Sequence, residues 1–441
     1  MKQAKNDTGL IVPLLPEVES SENQIVNGAS ISGAVINIST TMIGAGIMSV
    51  PATIKVLGII PGFILLLIVA FFVEVTVEFM LRYTQSGQSS TYAGLMGESF
   101  GTIGSIGVQI CVIITNLGCL IIYLIIIGDV LCGNQSGETL HLGILQEWFG
   151  IHWWNSRAYA LLRLVLIVML PLVLLRANSL KFTSGVSILL ALVFVAISSA
   201  MAVYAMWQGK TQKLRLFPDF ANQASLFDLF TTIPVFVTGL GFHVNVHPIR
   251  SELGKPSDMN SAVRISLIIG IAIYFAIGFF GYLLFGDSIM PDILVNFDRN
   301  SDTPIGRLLN DSVRLSYAIH LVFVYPVMSF SLRANIDELL FPKRPILAMD
   351  TARFVSLTCV LLAVTYITAI AIPNIWYFFQ FMGSTTIVFL SFIFPGLIIL
   401  RDVHGISTTR DRIMAVLVII LAGVSSFIAI YSNLQNSRNN K

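Results

Sequence analysis

Two stretches of the chain set helix-breaking glycines among residues that hydrogen-bond readily. The first reads Gly33-Ala-Val-Ile-Asn-Ile-Ser-Thr-Thr-Met-Ile-Gly-Ala-Gly-Ile-Met-Ser-Val-Pro51, with Gly44 and Gly46 at its middle and Asn37, Ser39, Thr40 and Thr41 a turn earlier. The second reads Pro234-Val-Phe-Val-Thr-Gly-Leu-Gly-Phe-His-Val-Asn-Val-His-Pro248, with Gly239 and Gly241 between two prolines. Glycine in mid-helix costs about 1 kcal/mol relative to alanine. A helix opened there presents N–H groups on one side of the gap and carbonyls on the other. The N–H groups sit at the positive end of a half-helix dipole and suit a carboxylate; the carbonyls suit an ammonium or another cation. Two such gaps together can hold a zwitterion by backbone alone. Glycines in apolar helices also serve close packing, and for either pair taken singly that reading stays open. The recurrence of the break at a matching place favours a binding site.

Ionisable groups in the same apolar stretches each ask for a reason, because a charge in hydrocarbon costs at least ~2.5 kcal/mol. His320 falls near the middle of its apolar run, and His243 lies just beyond the second break. An imidazole titrates near neutrality, so either can couple protonation to binding, or can be a neutral ring bonded to a neighbouring helix. Glu74, Glu78 and Arg82 recur every fourth residue and share a helix face. Glu78 is expected to pair with Arg82, leaving Glu74, deeper in the span, as a gate or proton-relay candidate. Asn116 and Tyr123 share a face of another span, and Gly383, Ser384 and Thr385 lie mid-way along a third; both sets are candidates to line the site.

The elements that carry these residues follow from composition. Of 441 residues 55% are hydrophobic and 11% charged, the formal charge is +2, and mean hydropathy is +0.81. A soluble chain carries about 25% charged residues, so this one is a polytopic membrane protein. Segments of about 20 apolar residues span a bilayer, and eleven are read at 31–54, 59–84, 103–131, 158–175, 182–207, 228–249, 262–285, 308–332, 352–372, 375–400 and 412–433. Five spans separate the two breaks, so they cross the membrane in opposite senses. That is the pattern of a transporter built from inverted halves with a midplane site. The positive-inside bias is weak. Arg176/Lys181, Arg250/Lys255 and Lys343/Arg344 favour a cytosolic N-terminus, whereas Lys210, Lys213 and Arg215 fall outside. Asn134-Gln-Ser and Asn310-Asp-Ser are sequons in non-cytosolic loops, which makes Asn134 and Asn310 glycosylation candidates.

Several motifs in order resemble the amino acid/auxin permease family, in particular plant vacuolar-type amino acid transporters and the sodium-coupled neutral amino acid transporters of animals. They are Asn37 to Gly46 with Pro51, Tyr92-Ala-Gly-Leu-Met-Gly-Glu-Ser-Phe-Gly101, Phe242-His243 through His247-Pro248-Ile249, Gly281-Tyr-Leu-Leu-Phe-Gly286, and Val313-Arg-Leu with Pro326. The resemblance implies an all-α integral membrane fold of the leucine-transporter type, two inverted five-helix repeats plus one extra helix. The repeats would be residues 31–207 and 208–400, after a flexible cytosolic tail (1–30) and before an eleventh helix and short tail (401–441). It further implies that Gly44, Ala45 and Gly46 meet a substrate carboxylate through N–H groups. Carbonyls near Thr41 and Ile43, with those of Thr238, Gly239 and Gly241, would take the ammonium. In sodium-coupled relatives a hydroxyl of the eighth span completes a cation site; here Val322 and Val324 stand in that stretch, which favours H+ over Na+ as coupling ion.

No GxxxxGK[ST] loop, metal-ligand spacing or nucleophile elbow is present, so neither an ATP-driven pump nor an enzyme is expected. No cofactor, metal or nucleic-acid partner is expected; the partners are an amino acid and the bilayer, and no protein partner can be read. The reading is a secondary active transporter of neutral amino acids, moved by alternating access. The alternatives are a sensor of the same fold with little flux and a sodium-coupled symporter. Plasma membrane, vacuole and endosome fit the spans equally.

Overall fold

The computed structural model describes residues 30–136, 139–174, 180–219, 226–298, 303–341 and 347–439. The expected tail lies outside the described residues except for Ser30, as do Arg176, Lys343, Arg344 and the side chain of Lys181. Among the described residues ten helices are long and apolar enough to cross a membrane, or eleven when the bent pair Ile31–Met42 and Ala45–Leu57 is taken as one span. The others are Ile59–Ser86, Tyr92–Cys132, Arg157–Leu174, Leu180–Trp207, Leu226–Leu240 with His243–Glu252, Met259–Phe285, Pro304–Leu340, Thr351–Ala371, Ile375–Arg401 and Thr409–Asn439. All eleven expected spans are thus found. The side on which the first span begins is called inner below, and the opposite side outer.

Local chemistry explains most boundaries. Thr91, Thr303 and Asp350 cap the third, eighth and ninth spans by accepting hydrogen bonds from Gly94, Gly306 and Arg353 N–H groups. The tight turn between the first two spans rests on Gly58 at φ +77°, where a Cβ would meet the Leu216 and Phe217 backbone at 2.8 Å. That segment bonds back to the turn, Ile59 N–H to Arg215 O at 3.1 Å. The third, eighth and tenth helices differ from expectation, the eighth by running on to Leu340 rather than 332. The third helix starts at Tyr92 rather than 103 and bends at Gly101 (φ 64°), because a capped start at Thr91 precedes the apolar run. The tenth contains a break at Thr385 and a π-helical turn over Phe389–Ile393, such as often marks functional sites.

Charges collect at both ends. On the outer side Arg157 binds Asp129, buried Arg314 binds Glu147 at 2.7 Å, and His141, on a two-stranded ribbon of Asn134–Ser136 and Thr139–His141, meets Asp298 at 2.8 Å. On the inner side Arg82 binds Asp411 at 2.8 Å and the Ile406 carbonyl at 3.2 Å. This corrects the expected Glu78–Arg82 pair: an acid at the start of the last span, far off in sequence, is the better placed partner. Asp402, in the loop before that span, binds Tyr83 and Arg412. Its partial desolvation opposes ionisation, but bonds from Tyr83, Ser407 and Arg412 outweigh it and hold the carboxyl well below the usual carboxylate range.

Candidate functional site

The two breaks meet. The first span stops at Met42, turns through Ile43 and Gly44, and resumes as a 3-10 helix at Ala45 with a 48° bend. The sixth stops at Leu240 and resumes at His243. A Cβ on Gly46 would lie 2.9 Å from Gly239 Cα and 3.1 Å from the Tyr274 hydroxyl; one on Gly239 would lie 2.5 Å from that hydroxyl. These two glycines are where the backbones cross. Gly241 is also packed, its Cβ position 2.9 Å from Ile387 and 3.0 Å from the Ser391 hydroxyl. Gly44 differs: its nearest neighbours would be Thr41 O at 3.5 Å and the Tyr123 hydroxyl at 3.8 Å. Of the four glycines, Gly44 has ordinary room beside it.

The opened carbonyls are held by two tyrosines that the sequence reading missed. Tyr274 donates to Met42 O at 2.7 Å, and Tyr317 donates to Gly44 O at 2.7 Å. Both rings are fully buried. The available signal was a tyrosine at mid-span, whose hydroxyl must find a partner there. The N–H groups are spent differently. The first bond of the 3-10 turn is Ile47 N–H to Gly44 O, so the N–H groups of Gly44, Ala45 and Gly46 precede that ladder, as at any helix start. Removing the Tyr317 hydroxyl leaves the Gly44 carbonyl with the longer Ile47 N–H bond alone, at about 0.5–1.5 kcal/mol. Tyr317→Phe is therefore expected to lower uptake by up to about tenfold; unchanged initial rates in reconstituted vesicles would contradict it.

The remaining candidates divide. Thr41, exposed, lies 3.5 Å from the Asn245 amide of the sixth span, and Ile43 is half-buried at the turn. Thr238 bonds Pro234 O at 2.7 Å and packs against Gly383 of the tenth span. Gly383 therefore serves helix contact, while Ser384 and Thr385 bond back to Gln380 O and Phe381 O at 2.5 Å. Tyr123 reaches the first break; Asn116 instead faces Ser331 of the eighth span at 3.4 Å. His320 donates through Nδ1 to Ser187 O at 2.7 Å and packs on Tyr317; a carbonyl only accepts, so Nδ1 carries a proton. Glu74 pairs with Arg264 of the seventh span at 2.7 Å, in a lateral groove lined by Leu67, Phe71 and Ile268, away from the breaks. The carboxamide of Asn134 reaches Asp129, and Asn310 lies in the second turn of the eighth helix.

His243 and His247 tie the sixth span to the second. Nε2 of His243 lies 2.9 Å from Thr76 Oγ1, which also lies 2.8 Å from Phe72 O; Nε2 of His247 lies 2.8 Å from Thr84 Oγ1, itself 2.7 Å from Met80 O. Each hydroxyl has one proton, and a carbonyl can only accept it. Both imidazoles must therefore donate through Nε2, which leaves Nδ1 as a bare lone pair. Both Nδ1 atoms are buried and have no hydrogen-bond partner.

Residues 27–435 match the family described as transmembrane amino acid transporter protein. The chain belongs to that family. It is 54% identical to amino acid transporter AVT6C of Arabidopsis thaliana over 96% of this chain and 97% of the relative, and 51% identical to AVT6D of the same plant over 96% of each. A putative sodium-coupled neutral amino acid transporter 10 of Xenopus laevis is 26% identical over 89% of this chain and 37% of its own length. In fold the family member described here superimposes on a manganese transporter of Eremococcus coleocola with a TM-score of 0.52 at 12% identity, covering 95% of this chain and 90% of that one. The fold is the leucine-transporter type, and the chain is a multi-pass membrane transport protein rather than an enzyme.

Proposed function

We propose that the chain is a secondary active transporter that moves neutral amino acids by alternating access, coupled to protons. The observation that carries the reading is the meeting of the two breaks at Gly46 and Gly239, beside N–H groups of Gly44 to Gly46 that no helical ladder uses. Those N–H groups receive the substrate carboxylate, and carbonyls of residues 238–241 face the ammonium. The side chains at the breaks, Thr41, Ile43, Ala45, Thr238, Tyr123 and Asn245, carry no charge, which suits a substrate without a charged side chain. Alternating access is supported by an asymmetry. The inner half of the first span exposes Asn37 and Thr41, whereas its outer half, Val50–Leu57, is largely buried and Ser49 is tied to Pro291 O at 2.7 Å. The N-terminus is taken as cytosolic, so this arrangement opens to the cytosol.

The coupling proton is assigned to His243, whose unpartnered Nδ1 lies one residue beyond the sixth-span break. His320 is held to Ser187 from another span and Glu74 is paired with Arg264, whereas His243 opens the helix that resumes at the sixth-span break, one turn before His247. The test is uptake of a radiolabelled neutral amino acid into proteoliposomes under a proton gradient, a sodium gradient or none. Uptake driven by protons supports the reading. Sodium-driven uptake overturns the coupling assignment, and binding without flux overturns transport in favour of a sensor. His243→Gln, which keeps a donor for Thr76 and does not titrate, is expected to flatten the pH profile of uptake, with residual uptake no longer driven by a proton gradient. A profile like wild type would remove His243 from the coupling path.

A further inference from the structure

The outer loop between the seventh and eighth spans holds a carboxyl that nothing described above uses. Asp292 is 2% exposed. Its Oδ1 accepts the Leu294 N–H at 2.9 Å, while Oδ2 is buried with no hydrogen-bond partner. The following segment, Ile293–Asp298, is almost wholly buried and closes over the outer half of the first span, with the Pro291 carbonyl receiving the Ser49 hydroxyl.

The groups facing Asp292 are already spoken for. From the third span Asp129 binds Arg157, the first residue of the fourth, which also donates to Ile125 O at 2.9 Å. From the eighth span Arg314 binds Glu147 at 2.7 Å and Leu142 O at 2.6 Å, and Tyr317 donates to Gly44 O. From the ribbon His141 binds Asp298. The 3-10 turn Ala45–Ser49 offers no titratable side chain. Lys55, near the loop's start, lies 3.4 Å from Ile289 O. Arg157 and Arg314 thus each have an acid of their own, Lys55 meets a carbonyl, and among the described residues no cation bonds Asp292. A carboxylate buried without a cation is so costly that it takes up a proton instead.

We propose that Asp292 is a proton-binding site of the outer gate: it is protonated when the loop is closed over the first span, and it releases that proton to the outer compartment when the loop lifts and water reaches it. The proposal rests on the alternating-access reading and adds to it a second titratable group, on the side opposite His243. Burial, and then the nearby Asp129, push the closed-loop carboxyl well above the usual carboxylate range. In water the carboxyl returns to about 3.9. The closed state therefore binds the extra proton, and acid in the outer compartment favours closure. Between the two titration points the open-to-closed ratio rises about tenfold per pH unit.

Hydrogen exchange of the purified full chain in lipid nanodiscs tests this, read on peptides covering residues 289–298 between about pH 5 and pH 7. Exchange is expected to grow with pH in wild type relative to Asp292→Asn by about tenfold per unit over part of that range. The ratio at each pH cancels the intrinsic pH dependence of amide exchange. Asp292→Ser keeps an acceptor for the Leu294 N–H and serves the same comparison if the Asn variant misfolds. A wild-type to variant ratio flat with pH overturns the proposal. Uptake by the same purified proteins reconstituted into proteoliposomes separates the two readings. Intact uptake with flat exchange removes only Asp292, whereas absent uptake under every gradient with pH-dependent exchange removes transport and leaves the gate.

Discussion

Gly46→Ala is expected to cost the protein both uptake and stability, whereas Gly44→Ala costs uptake alone. A methyl at Gly46 meets backbone, Gly239 Cα at 2.9 Å. Backbone cannot rotate away as the end of a side chain can, so the first and sixth spans must separate. Overpacking of this kind costs about 1–3 kcal/mol. Since about 1.4 kcal/mol is tenfold in an equilibrium, uptake should fall at least tenfold, with a lower melting temperature. At Gly44 the added methyl finds Thr41 O at 3.5 Å and the Tyr123 hydroxyl at 3.8 Å, ordinary contacts, and the backbone there (φ −106°) accepts any residue. That methyl instead narrows the space beside the free N–H groups, so KM rises while melting stays at the wild-type value. Equal melting losses in the two variants, or wild-type uptake in Gly46→Ala, would show that the glycines do not divide in this way.

Arg157→Met is expected to be the most destabilising single change outside the breaks. Asp129 is 3% exposed and its countercharge is the Arg157 guanidinium. Removing one partner of a buried pair costs about 3–5 kcal/mol, chiefly because the other charge stays buried. The loss also removes the Arg157 bond to Ile125 O and leaves Asp129 without a countercharge near Asp292. Adding Asp129→Asn to Arg157→Met removes the stranded charge and is expected to recover more than half of the loss in thermal unfolding of the purified protein. A double variant no more stable than Arg157→Met would show that the arginine acts through packing rather than charge.

What could be read in the sequence is what is local. The spans were set by apolar runs, and the two breaks by glycines flanked with hydroxyls and prolines, so both reappear in the fold. The division of labour within each glycine pair was not readable, because it depends on which backbone lies opposite. Tyr274 and Tyr317 escaped notice for the same reason: their partners are carbonyls more than two hundred residues away. Glu78 and Arg82 looked paired on helical spacing, yet Asp411 took the arginine, since an i,i+4 contact is worth only a few tenths of a kcal/mol and a tertiary partner readily displaces it. His243 was noticed as an ionisable group, but its bare Nδ1 follows only from the hydroxyl that Thr76 has already committed to its own helix.

The two histidine–threonine contacts also bear on mechanics. Because His243 and His247 both grip the second span, the inner half of the sixth cannot swing alone at its break; it turns as one lever with Ile59–Ser86. At 1.5 Å per residue the His243–Glu252 arm is about 15 Å long, so a tilt of roughly 10° about the break sweeps its tip by about 2.6 Å, close to the width of a water molecule. A small rotation at the joint is thus enough to admit or exclude solvent at the inner mouth. The stiffness of the arm, set by two buried imidazole bonds, decides how much of the rotation reaches its end.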